Sequence, residues 1–86
     1  MKDKKYIEKK IRKYVIATFD QPTQYLYKMP GKNEYLFVED IEAATKTLNS
    51  NIAEQVKKYY YSDTNVNIDL VVLPIDITYE LVEETN

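Results

Sequence analysis

The tightest constraint on how this chain folds lies near its end, where apolar residues alternate at Val66, Ile68, Leu70 and Val72, and again at Ile75, Ile77, Tyr79 and Leu81. Successive side chains of a strand point to opposite faces, so this period of two marks β-structure with one face turned to a core. Across Leu73-Pro74 the apolar set moves from even to odd positions, and such a slip inverts every side chain across the sheet. Two resolutions are open: a bulge at Leu73-Pro74 that restores the facing, or two strands that meet there at a bend. Pro74 has no amide hydrogen for a ladder and suits both.

The rest of the chain supplies partners for that strand. Tyr14-Val15-Ile16-Ala17-Thr18-Phe19 is apolar on both faces, which predicts a central strand over 12–19. Gln24 to Lys28 pairs with Glu34 to Val38 across Met29-Pro30-Gly31-Lys32-Asn33, a loop holding the only glycine of the chain, and this predicts a hairpin. One hairpin face packs in the core, through Leu26 with either Leu36 or Tyr35 and Phe37, depending on register. Asp40 sits as an N-cap with Glu42 in the first turn. Beyond it Ile41, Ala44, Leu48, Ile52, Val56 and Tyr59 recur at intervals of three and four, predicting one helix to about Tyr60 despite the poor helix formers Asn49-Ser50-Asn51. Ser62-Asp63-Thr64-Asn65 reads as a turn. Residues 2–12 place Tyr6, Ile7 and Ile11 on a short helical stripe, or else form a basic arm. The expected fold is a single α+β domain over 1–86, with one long helix across an antiparallel sheet of four or five strands.

The residues that are missing narrow the function. With no Cys and no His among 86 residues, the strongest nucleophile and the usual neutral-pH base are both absent, and one glycine cannot build a phosphate-binding loop. Carboxylates remain. Asp76, Thr78 and Glu80 share one strand face at about 7 Å per two-residue step, and its two acids are candidate hard oxygen ligands for a divalent cation. Pro74-Ile75-Asp76 with Glu80 is similar to the metal-binding acids of restriction-type nucleases. The lysine those sites carry after the second acid is missing, since Leu81-Val82 comes next, and a solvated strand face explains the acids as well. The expectation is therefore a non-enzymatic protein with no catalytic residue, metal or cofactor. The longest apolar run, Leu70 to Ile75, is far short of the roughly 20 residues needed to cross a membrane. The N-terminus has no signal-peptide pattern, and a soluble, cytoplasmic protein is expected.

Charge and tyrosine mark the candidate surfaces. Residues 1–13 hold seven cations and two acids, a net +5, which leaves −7 for the remainder of a chain whose total is −2. An acidic C-terminal face of Asp69, Asp76, Glu80, Glu83 and Glu84 suits a basic, nucleic-acid-handling partner protein. Tyr59-Tyr60-Tyr61 cannot all be buried, because adjacent helical side chains diverge by about 100°. Tyr59 is expected in the core, and Tyr60 and Tyr61 are candidate contact residues. The alternative reading is nucleic-acid binding by Lys4, Lys5, Lys9, Lys10, Arg12 and Lys13. A homo-oligomer assembled through an open sheet edge is a third.

The run Tyr35-Leu36-Phe37-Val38-Glu39-Asp40-Ile41-Glu42-Ala43-Ala44, in which hairpin leads into capped helix, resembles the small accessory proteins of phages and prophages of low-GC Gram-positive bacteria. Eleven Lys to one Arg, with many Asn, Ile and Tyr, is the composition of AT-rich coding. The resemblance implies a role in binding a host protein, inhibiting a defence nuclease, or modulating transcription or replication.

Overall fold

The computed structural model describes residues 6–81. Strands β1 (Tyr6–Thr18), β2 (Tyr25–Lys28), β3 (Tyr35–Val38) and β4 (Leu70–Leu81) form one antiparallel sheet in the order β3-β2-β1-β4. Helix α1 (Ser50–Thr64) packs across it, giving the expected α+β fold with four strands. The central position expected of the Tyr14–Thr18 segment is the one observed. β2 and β3 form the expected hairpin, with Gly31 at φ +71 in its loop. The register pairs Leu26 with Phe37 and Lys28 with Tyr35, so the core takes Tyr35 and Phe37 and not Leu36.

The two halves of the sheet are unequal. β2 and β3 have four residues each, whereas β1 and β4 have 13 and 12 and pair from Thr18↔Leu70 to Tyr6↔Leu81. Past Tyr14 they continue without β2 or β3, as a two-stranded ribbon. The molecule measures 58 × 25 × 21 Å and its radius of gyration is 16.5 Å, against about 12 Å for a compact domain of this length.

The expected N-terminal helix is overturned wherever the chain is described, for the strand starts at Tyr6. Intrahelical pairs add only a few tenths of a kcal/mol to a short uncapped helix. A ladder with β4 satisfies the backbone of the same residues and sets Arg12 opposite Asp76. The irregularity expected at Leu73-Pro74 is absent, because β4 is one continuous strand and the register shift falls between Ile7 and Lys9. The change of parity has another cause. Leu70 and Val72 face α1, while Ile75, Ile77, Tyr79 and Leu81 face the other way, so a regular strand presents its apolar residues to opposite sides in its two halves.

The helix also departs from expectation, being shorter and preceded by a separate turn. Asp40 does cap, but the element it caps is a 3-10 turn, Ile41–Ala43, with Asp40 Oδ1 accepting from the Glu42 amide at 2.9 Å. The chain then runs extended. Thr45 N–H donates to Leu26 O, and Thr47 exchanges both backbone hydrogen bonds with Tyr14, at 3.0 and 2.9 Å. Helix α1 begins only where Asn49 Oδ1 accepts from the Ile52 amide, and ends at Asn65 in the left-handed conformation. Asn and Ser compete for backbone hydrogen bonds in helix interiors and favour caps, so Asn49-Ser50-Asn51 starts a helix here instead of interrupting one. The core stripe consequently runs Ala53, Val56, Tyr60, and the expected burial of Tyr59 is reversed: Tyr59 is 55 % exposed and Tyr60 4 %. Leu48 and Ile52 are also exposed.

Ile16, Leu26, Ala53, Tyr60 and Leu70 form the core between helix and sheet. On the opposite face Val15 and Ala17 are fully buried as well. The strap of residues 41–46 lies on that back face, where Ala44 is buried and Ile41 sits beside Ile75 and Ile77.

Candidate interaction surface

Directly paired residues of two strands share a face, so register divides the ribbon into two unlike sides. Lys10, Arg12, Asp76 and Thr78 lie on the side of α1. Lys9, Ile11 and Lys13 with Leu73, Ile75, Ile77, Tyr79 and Leu81 lie on the back. The first side is polar and internally paired. Arg12 Nε and Nη2 donate to Asp76 Oδ1 and Oδ2 at 2.8 and 3.1 Å, the two-pronged geometry that suits guanidinium and carboxylate.

The Arg12 hydrogen bond holds the Asp76 carboxyl below its ordinary value, against a smaller opposing effect of desolvation and with further help from the charges of Arg12 and Lys10. The same pair raises Arg12. A carboxylate whose folded value is depressed contributes stability that is complete above its unfolded value, near 3.8, and is lost as pH falls through the lower folded one. Acidification below about pH 3.8 is therefore expected to lower the amide protection of the ribbon, relative to the unfolded chain at the same pH, before that of the core; Asp76→Asn should remove that pH dependence, and no difference between the two chains would contradict it.

The two charged ends of the chain are thus partly spent on each other. Lys9 and Lys13 project from one face and Lys10 and Arg12 from the other, so the described cations do not form a one-sided basic surface. Asp69 is exposed just before β4, and Glu80 is exposed opposite Ile7 on the distal ribbon. Tyr61 is half-buried with its hydroxyl donating to Ile68 O at 2.7 Å. Tyr60 is corrected from surface to core, with its ring edge-to-face against Tyr35, Phe37 and Tyr61 at 5.3, 5.6 and 5.8 Å. Glu83, Glu84, Lys4 and Lys5 lie outside the described residues.

The back face is the surface that the alternating pattern locates but assigns to a core. Its β4 residues from Leu73 to Leu81 are apolar at five successive odd positions. The helix lies on the other side. Ile41, Glu42 and Lys46 of the strap line an open cleft of about 390 Å³ with Ile75, Asp76 and Ile77. Lys46 Nζ donates to Glu42 O and Ala44 O, which ties the strap's turn to itself. Distal to the cleft Tyr79 and Leu81 are 55 and 50 % exposed. Isolated exposed apolar residues are ordinary, whereas a contiguous strip is a mark of interaction surfaces.

A second hollow, lined by Lys28, Asn33, Tyr35, Tyr59 and Asp63, lies where α1 meets the hairpin. Tyr35 donates to Asp63 Oδ2 at 2.7 Å, and its hydroxyl is pushed up to about 12, by burial first and then by Asp63. That bond ties β3 to the helix end and keeps the phenol protonated. Among the described residues no group of three or more acidic, His or Cys side chains is placed to hold a metal ion. Among them, no helix is long and apolar enough to cross a membrane.

Fold and surface together define an α+β domain with a projecting β-ribbon. Comparison with protein-family models, curated proteins and solved structures returns no match.

Proposed function

We propose that this chain is a non-enzymatic protein-binding module that docks a partner protein on the back face of its β1–β4 ribbon. The carrying observation is the apolar strip from the Ile41–Ile75–Ile77 cleft to Tyr79 and Leu81, half-exposed at its distal end on a limb that projects from the core. Such a limb reaches a partner without disturbing the helix-covered core, and a tyrosine beside apolar neighbours is a frequent energetic centre of interfaces. The acids are interleaved with cations along the ribbon, so apolar area carries this reading more than acidic steering does. With the resemblance to small phage accessory proteins, the role implied is inhibition or modulation of a host or defence protein.

The test is capture from a lysate of the bacterial host on the tagged chain and on two variants. Tyr79→Lys with Leu81→Lys should weaken retention of the partner by about thirtyfold, the effect of losing roughly 2 kcal/mol at an interface centre. Leu48→Lys, on an exposed position away from the ribbon, should retain it. Equal retention by the native chain and the double variant would overturn the reading.

A further inference from the structure

Register and hydrogen-bond phase together fix how the outer edge of β4 can meet a copy of itself. Tyr14 uses both its N–H and its C=O on Thr47, and Thr18 N–H donates to Gln24 O. The even residues of β1 therefore direct their backbone away from β4, and their partners Pro74, Asp76 and Thr78 direct theirs outward. The ladder to β1 is carried by the odd residues, including Ile75 and Ile77. Pro74 occurs in the strand without a bulge because the amide it lacks would have faced out.

Sheet edges are normally guarded by charge, proline or shortness. β3 has four residues, and the outer edge of β1 is closed at Tyr14 by Thr47 and carries Lys9, Lys10, Arg12 and Lys13 beyond it. Two β1 edges brought together around Ile11 would set Lys10 against Arg12. β4 is the last strand of the sheet, and from Ile75 to Tyr79 its one charge is Asp76, already matched by Arg12 in a two-pronged ion pair. That stretch is close to neutral and, among the described residues, has no strand on its outer side.

An antiparallel two-fold pairing opposes outward residues to outward residues, so its axis passes through a residue. Centred on Asp76 it opposes that acid to itself, and centred on Thr78 it opposes Asp76 to Glu80; like charges so placed are destabilising. Centred on Ile75 it puts both prolines in the middle of the pairing, and centred on Tyr79 it matches neither Leu73 nor Ile75 with a described residue. The centre on Ile77 avoids all four faults. It opposes Asp76 to the Thr78 hydroxyl of the second copy and moves Pro74 to the ends, opposite Glu80. On the back face it opposes Ile77 to Ile77, Ile75 to Tyr79 and Leu73 to Leu81, and with Ile11 beside each Ile77 four isoleucines form a row across the axis. Leu73, Tyr79 and Leu81, all exposed in the single chain, then cover one another. Tyr79 arrives beside Ile75 where that residue lines the open cleft with Ile41 and Ile77. Each copy thus supplies a projecting ring and an apolar cleft, and the two-fold uses both twice.

We propose that the chain forms a symmetric dimer in which the β4 strands of two copies pair antiparallel about Ile77, joining the two ribbons into one four-stranded sheet. Asp76 of each copy exchanges main-chain hydrogen bonds with Thr78 of the other. Each ribbon gains the third strand without which two strands are marginal. The protein-binding reading concerns the face of the ribbon and this inference its edge, so the two stand or fall separately.

Sedimentation of the full chain over a concentration series, with amide exchange at each concentration, tests it. The mass should rise to twice that of the chain, and protection of Asp76 and Thr78 should rise with it while Ile75 and Ile77, already bonded to β1, stay unchanged. Thr78→Glu sets an acid against Asp76 of the second copy at two symmetric positions while facing Lys10 in its own chain. It should weaken dimerisation by about tenfold, with the amides of Ile16 and Leu26 native-like. Thr78→Pro removes one outward donor from each copy and should weaken it as much, without opening the ladder at Ile77. A monomer throughout the series overturns the inference, as does a dimer that Thr78→Glu leaves as tight as the native one. Protection of Asp76 and Thr78 that appears only with the lysate partner present gives the edge to that partner and overturns the dimer. A monomeric native chain that retains the lysate partner removes the dimer and leaves the binding reading; a dimer that retains none does the reverse.

Discussion

Tyr60→Ala is expected to destabilise the fold by about 3–5 kcal/mol, the range for deleting a buried aromatic ring, and to leave much of the chain unfolded at room temperature. The ring is 4 % exposed at the centre of the only helix–sheet core among the described residues, in edge-to-face contact with three other rings. Each aromatic contact adds about 0.5–1.5 kcal/mol beyond simple area burial. Little can compensate, because Leu26 and Val15 are the largest fully buried side chains and a domain of this size has only roughly 4–13 kcal/mol in total. Tyr59→Ala, one residue earlier on a side chain 55 % exposed, should cost less than about 1 kcal/mol. Urea unfolding of the two variants measures the contrast, and a larger loss for Tyr59→Ala would place the helix face wrongly.

That contrast also explains which features are legible in the sequence. Strand identity is, since alternation and β-branched density depend on local backbone geometry: the hairpin, the central strand and β4 all derive from it. The helix face is not. Counting a period of 3.6 from Ile41 carries the stripe through Thr45–Thr47, which are extended and bonded to Leu26 and Tyr14. Those bonds are tertiary, and no spacing within the segment reveals them. The two residues that reset the count are visible as Asn49 and Asn51, but their meaning as a helix start depends on the strap being held elsewhere.

The N-terminal segment misleads for a related reason. Lysines in 2–13 look like a solvated helix or an arm when the sequence is scanned locally, and the strand with which Lys9, Lys10 and Lys13 pair lies more than sixty residues away. The opposite charges of the two termini are the available signal. Taken alone they suggest surfaces for other molecules, and Arg12 with Asp76 shows that part of that charge brings β1 and β4 together. The parity change at Pro74 is likewise visible, and its explanation needs the third dimension: helix on one face of the sheet for the first half of β4, strap and open surface on the other for the second.

Ile77→Pro is expected to detach the distal ribbon while the core stays folded. Ile77 lies at a ladder position opposite Ile11, so proline there removes a donor to β1 and leaves a carbonyl of Ile11 unmatched, at a cost of roughly 1–3 kcal/mol. A two-stranded ribbon is marginal without a third strand or a packed helix, and past Tyr14 this one has β1 and β4 alone. The loss should therefore appear as local opening, with the amides of Ile11 and Tyr79 exchanging at nearly unfolded rates and those of Ile16 and Leu26 still protected. The sharper comparison is with Thr78→Pro. The two substitutions place the same residue at adjacent positions of one strand, and only the phase of the β1 hydrogen bonds distinguishes them. If Thr78→Pro opened the ribbon and Ile77→Pro did not, the outward and inward positions of β4 would be exchanged, against the phase that the Tyr14–Thr47 and Thr18–Gln24 backbone hydrogen bonds set for β1.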